Sequence, residues 1–233
     1  MYNSKTITRE ELVGLFDYTN LKPNATKADI IALAKEARDL HTAAVCVNPS
    51  RVKICRALLT GTGVKVGTVI GFPLGADTLE EKMDQARLSI LEGAEELDYV
   101  LNIGELIDGN TAYIKREMEV MASICRKYKL VCKVIFENCY LTEEQIRTAA
   151  GIALETRPNF IKTSTGFGSG GAKAEDVAVM KEVVGDRIKV KAAGGIRDWE
   201  TCAAMIDAGA ERIGTSSAPA ILAGYDAWKA AQG

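Results

Sequence analysis

Short apolar runs alternate with longer stretches of helical periodicity along the chain. A capping box at Thr8 and Glu11 predicts a short opening helix, and 14–19 then reads as the first strand. Pro23 and Thr26 introduce a helix over 27–40, with Ile30, Ile31, Leu33, Ala34 and Ala37 on one face. Buried strands are predicted over 43–47 and 64–70, separated by a helix that begins at Pro49 and stops before Gly61 and Gly63. Thr78 and Glu81 form a second capping box, for a long helix that Gly93 ends. A strand over 97–101, a polar-faced helix over 111–128, a strand over 130–136 and a helix opened by Thr142 and Gln145 continue the alternation. Phe160 and Ile161 start the next strand, followed by a helix over 174–184, a strand over 187–193, a helix from Asp198 to Gly209 and a last strand over 211–214.

Eight strand-helix alternations without a linker predict a parallel sheet. In 233 residues they point to an α/β fold, a closed (β/α)8 TIM barrel forming a single domain over 1–233. An open doubly wound sheet is the alternative, and it calls for a G-x-G-x-x-G turn after an early strand, which the sequence lacks. Two features hint at internal repetition. Lys133, Lys162 and Lys191 recur at intervals of 29 residues, and Gly93-Ala94-Glu95-Glu96-Leu97 echoes Gly209-Ala210-Glu211-Arg212-Ile213 at two helix-to-strand junctions.

Composition narrows the function. With 29 basic residues against 31 acidic ones, no basic surface for nucleic acid or an anionic membrane is expected. No apolar run approaches a membrane span, and the first residues carry no apolar signal region, so a cytoplasmic location is expected. The six cysteines form no C-x-x-C pair and read as free buried thiols of a reducing compartment. The single histidine, His41, falls at a helix end, which excludes sites built on several imidazoles and leaves no good Ser-His-Asp or Cys-His arrangement. No acidic cluster of metal-binding spacing is visible, and no metal is expected.

Charge inside the strands changes the picture. Asp17, Asp98, Lys133, Lys162 and Lys191 interrupt apolar runs, and buried charge is costly unless it is paired. A lone strand-end lysine usually snorkels to water. Several charges at the C-terminal ends of barrel strands, where barrel active sites gather, point to chemistry. Lys162 and Lys191 are one strand apart, about 4.8 Å between backbones. At ~6 Å and an effective dielectric of ~20, two ammonium groups repel by about 2.8 kcal/mol, roughly two pKa units. That supplies a neutral amine for carbonyl addition, with Asp98 placed to shuttle protons. Lys189 shares the strand parity of Lys191, so either qualifies as the inward residue, but Lys191 lies nearer the C-terminal end. Glycines and hydroxyls after the last strands (Gly166, Gly168, Gly194, Gly195, Thr215, Ser216, Ser217) suit a phosphate, although glycine pairs also serve ordinary turns.

These stretches together resemble the deoxyribose-phosphate aldolase family, class I aldolases on a (β/α)8 barrel. The resemblance covers nearly the whole chain. It rests on Phe160-Ile161-Lys162-Thr163-Ser164-Thr165-Gly166-Phe167 and Val190-Lys191-Ala192-Ala193-Gly194-Gly195-Ile196-Arg197. Gly71-Phe72-Pro73-Leu74-Gly75, Glu96 to Gly104 and Ala44 to Pro49 add to it. The resemblance implies reversible cleavage of 2-deoxy-D-ribose 5-phosphate to acetaldehyde and D-glyceraldehyde 3-phosphate. Lys162 then matches the Schiff-base lysine, Lys191 the lysine that perturbs it, and Asp98 the proton-relay acid. Gly166, Gly194, Gly195, Ser216 and Ser217 match phosphate-side positions, and Asp17, Cys46, Lys133 and Thr165 match pocket positions.

No metal or organic cofactor is implied, because the iminium is itself the electron sink. The expected partners are a small-molecule sugar phosphate and aldehydes, with no nucleic acid and no membrane, and a homodimer is in keeping with the family. The chain departs from the family pattern at Tyr18 and Asn20 in the first-strand motif, at Phe167, where some relatives carry lysine, and at Lys189. Two other readings stay in view: a Schiff-base aldolase for a different sugar phosphate, and a barrel that only binds one, with its lysines paired and inert.

Overall fold

A computed structural model describes residues 2–232. Eight parallel strands close on themselves in chain order: β1 (Phe16–Asn20), β2 (Ala44–Val47), β3 (Lys65–Ile70), β4 (Glu96–Val100), β5 (Val131–Ile135), β6 (Phe160–Lys162), β7 (Lys189–Ala193) and β8 (Arg212–Thr215), with β8 pairing back onto β1. Closure disposes of the open doubly wound alternative. The helices are α1 (Arg9–Val13), α2 (Lys27–Leu40), α3 (Val52–Leu59), α4 (Leu79–Leu91), α5 (Ile103–Ile107), α6 (Thr111–Tyr128), α7 (Glu143–Thr156), α8 (Ala174–Val184), α9 (Trp199–Asp207) and α10 (Ala218–Ala230). None among the described residues is long and apolar enough to cross a membrane.

Local sequence explains these elements. Reciprocal capping boxes start α1, α2, α4 and α7, each with a threonine whose hydroxyl accepts from the third helical N–H. His41 ends α2 in the left-handed conformation, the position expected of it. The helix α5 has no counterpart in the sequence reading. Its five residues are too few to show a period, although Asn102 caps it through the N–H of Glu105. On its inner face α2 buries Ile30, Leu33, Ala34 and Ala37, while Ile31 is only half-buried. The main core lies between the helices and the outer face of the barrel.

Inside the barrel the filling is different. Beside a small apolar group of Leu21, Cys46 and Val69 and the inward-facing Val100, Ile135 and Phe160, the interior carries a set of buried charged side chains. Such chains need room, and glycine supplies it on β8. A Cβ at Gly214 would lie 3.1 Å from Cε of Lys191 and 2.8 Å from Cβ of Ala193.

Candidate active site

Strand register brings the predicted charges onto the inner face in two neighbouring levels. Asp98 of β4 is level with Lys133 of β5, Lys162 of β6 with Lys191 of β7, and Lys191 with Arg212 of β8. Side chains two apart on a strand share a face, so these groups all point inward. Asp17, Asp98, Lys133 and Lys191 are fully buried and Lys162 nearly so.

The contacts form one network centred on Asp98. Its Oδ2 accepts from Lys162 Nζ at 2.9 Å and from Lys191 Nζ at 2.7 Å, and its Oδ1 from Lys133 Nζ at 2.6 Å. Lys191 also donates to Asp17. Lys133 lies 2.5 Å from Glu96 and 3.2 Å from Asp17. Arg212 closes the lower end, 2.5 Å from Asp17 and 3.2 Å from Glu96. Sequence reasoning gave no role to Glu96 or Arg212. The only trace of them in the sequence is that they hold the same place in the two echoing Gly-Ala-Glu segments; that both take the inward parity of their strands is seen in the fold.

Charge balance singles out one amine. Three carboxylates (Asp17, Glu96, Asp98) face four basic side chains (Lys133, Lys162, Lys191, Arg212). A buried cluster with surplus charge is strained, and releasing one proton balances it. Lys133 contacts three carboxylates and Lys191 two, whereas Lys162 contacts only Asp98. Burial pushes the Lys162 amine below the usual lysine range; Asp98 opposes this and Lys191 adds to it. Burial also works against charge on Lys191 and Lys133, but the carboxylates around them outweigh it and hold both amines above the usual range. Asp98 and Asp17 resist burial in the same way, kept well below the usual carboxylate range by their cations. Desolvation of Lys162 is therefore the larger influence, and the repulsion from Lys191 expected from sequence is the smaller one. The Cys46 thiol is pushed up to about 11 by burial and stays a neutral wall beside the amines.

Above the network a cavity of about 580 Å³ opens at the C-terminal end of the strands, lined by Lys162, Thr165, Gly166, Gly194, Gly195 and Ser216 among others. The N–H groups of Gly166, Gly194 and Gly195 meet no protein acceptor among the described residues. Gly194 must be glycine: its φ is +89°, and a Cβ would lie 3.2 Å from Cα of Gly171 and 3.4 Å from Cα of Gly166. Not every predicted position reaches this space. Asp17, Cys46, Asp98, Lys133 and Lys191 lie in the closed interior below, and Ser217 stands just outside the lining at the head of α10, its N–H donating to the Thr215 hydroxyl. Lys22 and Arg197, to which the sequence reading gave no role, line the cavity. Tyr18 faces α2 and donates to Glu36 at 2.6 Å, and Phe167 packs edge-on against Phe72 at 5.4 Å at the rim. Lys189 is exposed below the barrel, so Lys191 is the inward lysine of β7 in the network.

Comparisons with known proteins converge. A family model described as DeoC/LacD family aldolase matches residues 13–230. A deoxyribose-phosphate aldolase of Lactobacillus acidophilus is 50% identical over 210 residues, covering 90% of this chain and 89% of that protein. One from Thermococcus gammatolerans is 51% identical over 216 residues, covering 92% and 96%. Among solved structures, a deoxyribose phosphate aldolase of Aeropyrum pernix, described as having a unique tetrameric structure, superposes with a TM-score of 0.88 at 30% identity, covering 95% of this chain and 93% of that one.

Proposed function

Because the chain belongs to the DeoC/LacD aldolase family, we propose that its interior lysine network performs the aldolase reaction, with Lys162 as the amine that forms the Schiff base. The protein is a lyase that reversibly cleaves 2-deoxy-D-ribose 5-phosphate to acetaldehyde and D-glyceraldehyde 3-phosphate. The observation that carries the site assignment is the position of Lys162: it is the one network amine with a single carboxylate contact, and it lines the cavity.

Acetaldehyde takes C1 and C2 of the sugar, so the bond that breaks is C2–C3. The neutral Lys162 amine adds to the C1 aldehyde; the carbinolamine takes a proton from the network and loses water, and the resulting iminium draws electrons from C2–C3 as the C3 hydroxyl loses its proton. Glyceraldehyde 3-phosphate departs, the remaining enamine takes a proton at C2, and hydrolysis frees Lys162. Asp98 and Lys191, both bonded into the same network, serve as proton carriers through water. The free N–H groups of Gly166, Gly194 and Gly195, with Ser216 and the α10 N-terminus beside Ser217, hold the phosphate. The whole chain would act as one domain in the cytoplasm, and self-association, as a homodimer, follows the habit of the family.

Incubation with acetaldehyde and borohydride tests the assignment. A two-carbon adduct should map to the peptide carrying Lys162, and Lys162→Ala should lose both the adduct and at least about 10⁴-fold of turnover. An unmodified Lys162, or full activity in the variant, would sink it.

A further inference from the structure

One buried carboxylate takes no part in the network. Glu137 follows β5, is 1% exposed, and adopts φ +58°, a left-handed conformation uncommon for anything but glycine. No lysine or arginine among the described residues pairs with it. Both its oxygens serve a single residue: Oε1 accepts from the N–H of Thr165 at 3.1 Å, and Oε2 from the Thr165 hydroxyl. That hydroxyl in turn accepts from the N–H of Phe167 at 3.0 Å. The turn after Glu137 is tied to the same loop, since the N–H of Asn138 donates to Thr163 at 2.9 Å. A Cβ at Gly168 would sit 2.8 Å from Cys139 Sγ and 3.2 Å from Cδ of Glu137, so the loop passes directly over this turn.

We propose that Glu137 is a positioning residue for the phosphate end of the cavity, clamping Thr165 so that the segment through Phe167 holds one shape. The consequence falls on Gly166, which lies between the two tethered residues with φ +87° and an N–H that meets no protein acceptor among the described residues. Across the cavity Gly171 packs against Gly194, and the N–H of Ala172 donates to the Gly194 carbonyl at 3.0 Å. The loop is thus fixed at two points, by Glu137 on one side and by the β7 glycines on the other. A buried, charged acceptor is a stronger anchor than a neutral one. Pre-shaped N–H donors spare the ordering that binding would otherwise cost.

The proposal rests on the aldolase reading, and its test separates the two. Glu137→Gln keeps the size of the side chain but turns one acceptor into a donor facing the Thr165 hydroxyl. Steady-state kinetics are compared on 2-deoxyribose 5-phosphate and on 2-deoxyribose, which lacks the phosphate. KM for the phosphorylated sugar should rise about tenfold. The accompanying kcat should hold within about twofold, and kcat/KM for the free sugar should not move. Thr165→Val removes the same contact from the other side, and the double variant should lose no more than the worse single one. Equal losses on both sugars, no loss on either, or additive losses in the double variant would overturn the proposal. If Glu137→Gln does not fold, the same two-sugar comparison on Glu137→Asp, which keeps the charge but is a methylene too short to hold Thr165, decides. Failure of the aldolase reading looks different, because the acetaldehyde adduct at Lys162, which involves no phosphate, is then missing from the unaltered protein too.

Discussion

Two groups of buried charge lie on opposite sides of the barrel wall, and they are built on different plans. Outside the strands, Lys82 of α4 and Glu117 of α6 form a closed pair with no exposure, 2.6 Å apart. Lys82 spends its other donors on the carbonyls of Gly75 at 2.7 Å and Val100 at 2.9 Å, and Glu117 accepts from the N–H of Asn102 at 3.0 Å. Charges cancel one to one, and every donor has an acceptor. Inside the strands, four basic groups share three carboxylates, and the least-contacted amine faces a cavity. Burial is common to both groups. Balance and access separate them, and these are the properties that leave one amine free to react.

The closed pair should therefore matter for stability and not for chemistry. Lys82→Met strands Glu117 in an apolar place and removes a clamp on the loop after β3 and on the end of β4. Breaking one side of such a pair costs about 3–5 kcal/mol, read as a lower urea midpoint at unchanged slope. Replacing both partners, with Lys82→Met and Glu117→Leu, should recover much of that loss. A single variant as stable as the parent would mean that the pair is not the fastening that its geometry describes.

The open network should respond the other way, with chemistry moving more than stability. Lys191→Met leaves three basic groups for three carboxylates, so Lys162 is no longer the surplus charge. Lys191 helps to lower the Lys162 amine, so its removal raises the proton affinity of Lys162. A larger share of Lys162 is then protonated at any given pH, and the acid limb of kcat/KM moves to higher pH. With a proton carrier also gone, kcat should fall about 10²-fold or more. An acid limb that stays put, or moves to lower pH, would show that Lys191 does not tune Lys162.

How legible these two groups were differs for a physical reason. A charge within an apolar strand run stands out, so Asp98, Lys133 and Lys162 could be found from their place in the runs, and Lys191 once its nearness to the strand's C-terminal end set it apart from Lys189. Glu96 and Arg212 were hidden at strand starts, where charged residues are ordinary. The echo of their flanking segments makes sense only in the fold. Its third position points outward, Glu95 to Lys65 and Arg56, and Glu211 to Lys181, while its fourth points inward, bringing Glu96 to Arg212. The pair of Lys82 and Glu117 could not be read, since helix periodicity does not say which neighbour a polar residue will meet. Glu137 left no pattern either, because its role depends on a left-handed backbone that a sequence of ordinary residues does not announce. The strands and main helices were readable because their signals, caps and periods, are local.

Lys189 sharpens the comparison at its weakest point. It sits two residues from Lys191 on the same strand face, yet it is exposed at the opening of the barrel opposite the cavity. Its Nζ lies 5.8 Å from the Phe160 ring, whose centroid is 5.1 Å from the Arg212 guanidinium. An exposed contact of this kind is worth about 0.5–1 kcal/mol at most, and water screens the charge from the network above. Lys189→Ala should leave kcat and KM within about twofold and stability within about 0.5 kcal/mol. The pH profile is the sensitive readout. If the acid limb moves as far for Lys189→Ala as for Lys191→Met, the network responds to total charge on the strand, and burial beside Asp98 is not what sets the amine of Lys162. If only Lys191→Met moves it, position along one strand has divided two identical side chains into a surface group and a part of the reaction machinery.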